Sequence, residues 1–466
     1  HLVDLGVTVV ELMPVATYPG EHGWGYDGVD IWAVHPDLGG PQALARFVDA
    51  AHARGLAVCL DVVHNHLGPS GNTLIRFGPY FTDTHMTPWG PALNLDGPRA
   101  DEVRRYLVDH SLMWLRDFHV DALRLDAVHA LVDESAVHVL EQLAEAVDDL
   151  ADELGRELLL VAESDRNDPA TVVPRPSTTV AGSLRSAGGF GGLGLAGQWA
   201  DDVHHTLHVL LTGETQGYYE DFAAPEALDT LVATPFFHAG TYSSFRGRTH
   251  GRPVDPERTP GWRFVASLQT HDQVGNRAKG DRLTHLVSTG RLACGAALLL
   301  TGPWTPMLFM GEEWGASTPW QYFTDHTEPE LAEAVSRGRA AEFSAHGWGG
   351  DVPDPQSPQT YRDSQLRWEE TTQEPHARVL EWYRTLVGLR RGVPDLSDAD
   401  LTNGSAERDG DVVTMRRGAC DVVVNLGTEP VRLEVGDVEL LAAWAASLEG
   451  TTLVVPADAC AVLRRS

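Results

Sequence analysis

Up to about residue 395 the apolar positions of this chain alternate between two textures. Short apolar runs of strand length lie at Val7–Met13, Leu56–Val63, Val120–Leu125, Leu158–Ala162, Phe264–Gln269 and Met307–Met310. Longer stretches between them carry helical spacing: Pro41–Arg54, Arg99–Phe118, Ser135–Leu154 and, closing the series, Glu374–Arg391. In the second of these Val103, Leu107, Leu112 and Leu115 fall on one helical face. One more strand is expected just ahead of His204-His205. Strand and helix in alternation predict a parallel sheet with helical crossovers, an α/β chain of the (β/α)8 barrel type. Seven strands can be counted where closure needs eight, so the first is expected upstream of His1, where the chain opens inside the pattern.

After about residue 396 the texture changes to short alternating strands such as Asp411–Arg416, Asp421–Asn425 and Thr452–Val455, separated by turn residues. A barrel domain over 1–395 and an antiparallel β-sandwich domain over 396–466 are therefore expected. The Pro-, Thr- and Gly-rich stretch 166–197 reads as a long surface loop.

Composition adds limits. A hydrophobic content of 42% with 22% charged residues is ordinary for a globular chain. The formal charge of −31 disfavours nucleic acid and anionic membranes as partners, since both are polyanions, and suits a neutral one. The longest apolar stretch, Leu292 to Met310, is broken by Gly302-Pro303 and Pro306, so no membrane span is expected. Of the four cysteines, Cys59 and Cys294 lie in apolar core runs. Cys420 and Cys460 fall in C-terminal strand candidates that can be neighbours, and are read as free thiols. That usage points to a reducing cytoplasm. With no dedicated set of oxygen ligands, neither a metal nor a cofactor is expected.

Three acidic segments carry the chemistry: Arg124-Leu125-Asp126, Glu163 after the run Leu158–Ala162, and His271-Asp272. Each acid follows a strand candidate, which places it on the C-terminal rim where barrel active sites gather. Side chains two apart share a face of a strand, so Arg124 and Asp126 point the same way. Glu163 ends an apolar run, a setting that raises a carboxyl pKa. Hydrolysis of a glycosidic bond needs one carboxylate nucleophile and one protonated acid. A third acid can stabilise a cationic transition state. Taken singly, Asp126 also reads as a helix cap and Glu163 as the start of a loop.

With these acids in order, the segments DVVHNH (61–66), LRLDAVH (123–129), VAES (161–164), THD (270–272) and GEE (311–313) resemble the signature segments of the α-amylase clan, glycoside hydrolase family 13. The resemblance runs from residue 1 to the C-terminus. It implies Asp126 as nucleophile, Glu163 as general acid/base and Asp272 as transition-state stabiliser, with Arg124 orienting Asp126. It further implies that His66, His129 and His271 bind hydroxyls of the reacting sugar and that Tyr26 is an aromatic platform beneath it. Finer segments at 11–41, 198–222, 271–277 (with Gln273) and 308–326 narrow the resemblance to one hydrolytic branch of the clan. That branch implies a substrate, maltooligosyltrehalose or another α-glucan, cut beside a trehalose unit. Trp199, Asp202 and His204, with Tyr322 and Phe323, are the candidates for holding that unit. A sister α-glucan hydrolase, a branching transglycosylase, or an inactive relative serving as a scaffold are the alternatives.

Overall fold

Register between neighbouring strands is what lines up the acidic ends. The computed structural model describes residues 1–175, 191–345 and 352–466. Among these, seven parallel strands form one sheet in chain order: β1 (Val9–Leu12), β2 (Ala57–Val62), β3 (Ala122–Leu125), β4 (Leu159–Ala162), β5 (Gly197–Trp199), β6 (Phe264–Ser267) and β7 (Thr305–Met307). In β2 and β3 Asp61 faces Arg124 and Val62 faces Leu125; Leu125 in turn faces Ala162 of β4. Asp126 and Glu163 are thus the first residues past two paired strand ends. β1 and β7 pair on one side only, and the half-exposed Val9 marks an open edge.

The crossover helices include α1 (Gly40–His52), α2 (Ala100–Asp117), α3 (Val139–Leu154), α4 (Asp201–Thr212), α5 (Thr289–Thr301) and α6 (His376–Gly392). α3 starts later than its apolar spacing predicts because the His138 side chain accepts from Leu140 N at 3.1 Å and caps it there. β7 lies earlier than the apolar run Met307–Met310. Its only partner among the described residues, β6, stops at Ser267, so Leu308–Met310 have no ladder to join there.

One apolar cluster fills the space between β1–β4 and α1–α3. A second joins β6, α4, α5 and α6 to the inner face of a five-stranded antiparallel C-terminal sheet, which begins at Gly404–Asp409. The other face of that sheet packs on three short strands, Val431–Glu434, Ser447–Glu449 and Thr452–Val455, through Val423, Leu453, Ala461 and Leu463. Alternation along the strand does the sorting, since Val422 and Val424 face the barrel and Val423 faces away. All four cysteines are buried free thiols. Cys460 pairs across the ladder with Val424 rather than Cys420, and its Sγ reaches Ala293 O on α5 at 3.8 Å. The stretch 176–190 of the expected long loop lies outside the described residues. Among the described residues no helix is long and apolar enough to cross a membrane.

Candidate active site

Arg124 is fully buried at the C-terminal end of β3, and one guanidinium gathers three carboxylates. Its Nη1 donates to Asp61 Oδ2 and to Asp126 Oδ1, both at 2.7 Å, and its Nη2 lies 3.0 Å from Glu163 Oε2. The Trp199 ring covers it with Cζ 4.4 Å from the centroid. Burial works against its charge, but Asp61, Glu163, Tyr26 and Asp126 outweigh burial and hold it protonated.

The two carboxylates nearest the centre differ in what holds them. Asp126 is fixed at both oxygens, Oδ1 by Arg124 and Oδ2 by Asn65 Nδ2 at 2.6 Å; the same amide also reaches Asp126 O at 2.8 Å. Both carboxyl oxygens are thereby aimed by fixed donors. Among the described residues the Glu163 carboxyl accepts from Ala127 N, at 2.7 Å, beside the Arg124 Nη2 contact. Ala127 takes φ +39°, a left-handed backbone that a side-chain-bearing residue holds at a cost of about 1–3 kcal/mol. Burial raises the Glu163 pKa well above the usual carboxylate range; Arg124 opposes the rise, and Asp126 and Asp272 add to it. One fixed carboxylate beside one carboxylic acid can perform a double displacement.

Asp272 lies in the first turn of a short helix, His271–Gly275, capped by Thr270, whose Oγ1 accepts from Asp272 N at 3.3 Å. Its side chain is 44% exposed and faces His271 Nε2 at 3.4 Å. His271 is stacked on Tyr26 at 5.2 Å, and its Nε2 is 2.8 Å from Tyr26 Oη, which donates to Asp61 at 2.6 Å. Burial lowers the His271 pKa, against the pull of Asp272, so it is neutral near pH 7. His66 Nε2 contacts Tyr26 O at 2.9 Å, and its Nδ1 contacts Asn65. His129 Nδ1 accepts from Asp165 N at 3.3 Å, and Gln273 Oε1 accepts from Thr270 Oγ1. Tyr26, His66, Arg124, Asp126, His129, Glu163, His271, Asp272 and Gln273 therefore share one rim.

Trp199, Asp202 and His204 are not exposed on it. Trp199 is buried, with its ring against Arg124 and edge-on to His271 at 6.3 Å, so it backs the rim from within. Asp202 Oδ2 accepts from Asn167 Nδ2 and Phe237 N at 2.8 Å and from His238 N at 3.0 Å. His204 is held between Leu268 O at 2.7 Å and Tyr219 Oη at 3.0 Å. The reason is α4, which is buried from Asp202 to Val209 on every face, so its polar side chains brace the interior. Phe323 is likewise buried, and Tyr322 packs edge-on against Trp24.

Sequence reasoning missed two acids. Asp61 lay inside a quoted segment and could have been found by placing it opposite Arg124; burial pushes its pKa up to about 7 against Arg124. Asp201 is the first residue of α4, two residues past the C-terminal end of β5. Among the described residues nothing hydrogen-bonds or ion-pairs with it. Burial, then Asp202, Asp272 and Asp165, push its pKa up to about 7. Among the described residues no group of His, Cys, Asp and Glu is placed to hold a metal ion.

Strand-end acids on a parallel β/α sheet, linked through one buried arginine, are the layout of the α-amylase class of glycosidases. The family model described as alpha amylase, catalytic domain, matches residues 1–76. A crystal structure from Salmonella typhimurium named for alpha amylase superposes with a TM-score of 0.87 at 37% identity, over 100% of this chain and 77% of that one. The malto-oligosyltrehalose trehalohydrolase of Arthrobacter ramosus is 56% identical over 92% of this chain and 72% of its own length. That of Rhizobium sp. (strain M-11) is 50% identical over 100% of this chain and 76% of its own. This chain belongs to the malto-oligosyltrehalose trehalohydrolase family.

Proposed function

We propose that this chain is a retaining glycosidase that cuts the α-1,4 bond next to the trehalose unit of maltooligosyltrehalose, releasing trehalose and a shortened maltooligosaccharide. The observation that carries the reading is the shared guanidinium of Arg124, with Asp126 tied at both oxygens and Glu163 kept protonated. Asp126 attacks the anomeric carbon while the Glu163 proton passes to the leaving oxygen of trehalose. Glu163, now a carboxylate, takes a proton from water, and that water opens the glucosyl-Asp126 ester with the α configuration retained. Asp272, exposed across the pocket, stabilises the positive charge that develops on the sugar ring. The four buried free thiols favour a cytoplasmic setting for this reaction.

The reacting bond is the same in a plain maltooligosaccharide, so preference for trehalose arises from groups around the leaving sugar. Asp201 suits that task, being a carboxyl close to Asp272 with no protein donor to satisfy it among the described residues. A site built around a substrate hydroxyl rejects the sugar that lacks it at roughly 1–3 kcal/mol per group left unpaired. Product analysis on maltooligosyltrehalose and on a maltooligosaccharide of equal length tests both claims. Faster trehalose release is expected from the unaltered enzyme, with the preference falling about tenfold in Asp201→Asn. Equal rates in the unaltered enzyme, or new branch points among the products, would remove the trehalohydrolase reading. An unchanged preference in the variant would remove Asp201 alone.

A further inference from the structure

The loop after β2 carries a hairpin, Phe81–Thr87 with Gly90–Leu93, closed by Pro88-Trp89. Pro88 presets its own φ at the first turn position. Gly90 takes φ +115°, where a side chain would be strained. Thr87 Oγ1 tightens the turn by donating to Gly90 O at 3.1 Å and accepting from Trp89 N at 3.2 Å. This chemistry fixes Trp89 at the hairpin tip. Its ring lies parallel to His66, 8° from coplanar with centroids 4.6 Å apart. His66 rests on Tyr26 and Asn65, and Asn65 holds Asp126. Trp89 is nevertheless 50% exposed, and its indole N–H has no partner among the described residues.

We propose that Trp89 is a stacking platform for a glucosyl unit in the malto-oligosyl part of the substrate, adjacent to the sugar that reacts at Asp126. A pyranose presents a face of C–H groups that packs on an indole, while its hydroxyls stay at the edge and in water. Exposed tryptophan at a cleft lip, already stacked on a cleft histidine, continues the site. The side of the cleft follows from the chemistry. The acid must reach the leaving oxygen, so trehalose lies toward Glu163, just past β4, and Asp201, at the start of α4. The glucan chain then runs the other way, over the β2 loop that carries His66 and Trp89. The inference rests on the proposed substrate for which end of the cleft is which, but not for the stacking itself.

The experiment compares the unaltered enzyme with Trp89→Ala and Trp89→Phe on maltooligosyltrehaloses of increasing glucan length. Binding of maltooligosaccharides is read separately by calorimetry in a Glu163→Gln background. Trp89→Ala is expected to lower kcat/KM about three- to tenfold on substrates long enough to reach the platform, mainly through KM, and to lower it less on the shortest. Trp89→Phe should retain most of the activity, and Trp89→Ala should weaken maltooligosaccharide binding by a similar factor. A loss independent of glucan length, or unchanged binding in a variant with the parent's melting temperature, would overturn the proposal. Should the parent release no trehalose, the functional reading fails, while the calorimetric result still decides the platform. If Trp89→Ala does not fold, Trp89→Leu takes its place in both measurements.

Discussion

Glu163 is a protonated acid by virtue of burial, and its single backbone donor and one shared guanidinium do not reverse that. The pH dependence follows with a definite sign. A carboxyl whose pKa is raised in the folded protein keeps its proton to higher pH, so the acid-competent form is lost as pH climbs through that raised value. We expect kcat/KM to fall on the alkaline side of its profile with Glu163 as the titrating group. Glu163→Gln should lower the rate about 10²–10⁴-fold and flatten that limb. A pH series of initial rates on both proteins checks this; an alkaline limb that persists unchanged in the variant would assign it elsewhere.

At the scale of the element, α4 shows how a helix can look functional and be internal. Its run of acids and histidines resembles a binding segment when read along the chain. In the fold, helix positions from Asp202 to Val209 are buried all round, and Asp202, His204 and His208 are each held by protein partners, whereas His205 Nδ1 and Thr206 Oγ1 have none among the described residues. Asp202→Ala strands three donors, Asn167 Nδ2, Phe237 N and His238 N. We expect it to destabilise by more than His204→Ala, and each variant to cost at least about 1–3 kcal/mol. Neither should change the ratio of activities on maltooligosyltrehalose and maltooligosaccharide. Denaturant midpoints paired with the two activities give the answer, and a shifted ratio at unchanged stability would return these residues to the substrate site.

At the scale of the molecule, the division proposed between 1–395 and 396–466 is one of sheets, and apolar packing crosses it. Leu292, Ala293 and Ala296 of α5 and Trp382 of α6 share a cluster with Val422, Val424, Trp444 and Val462. Trp382 meets Trp444 edge-on at 6.0 Å, and Arg378 lies over the Trp444 ring at 4.0 Å. Arg291 Nε adds an ion pair to Asp458 at 2.8 Å. A chain ended at residue 395 would expose several of these side chains at roughly 1.5–3 kcal/mol each, comparable with the whole stability of about 5–15 kcal/mol typical of a domain. Such a chain should aggregate or lose its cooperative melt, by light scattering and calorimetry. A monodisperse truncated protein melting like the parent would show the barrel to be self-sufficient.

What could be read along the chain was whatever repeats with local period. Apolar runs of strand length alternating with helical spacing announced the parallel sheet, and acids placed just past those runs announced a rim of carboxylates. Both survive because strand direction and side-chain alternation are local properties of the backbone. Tertiary structure decided which polar residues face the cleft. Asp61 joined Arg124 because β2 and β3 pair in one register and not another. Asp201 was left open, while Asp202, its neighbour in sequence, was satisfied by Asn167 from the loop after β4 and by the backbone of Phe237 and His238 further along the chain. Trp89 came to rest on His66 because a hairpin folds back over the end of β2. Partner and exposure are non-local, set by which segments the packing brings together, and so residues adjacent in sequence can differ in everything that matters to a substrate.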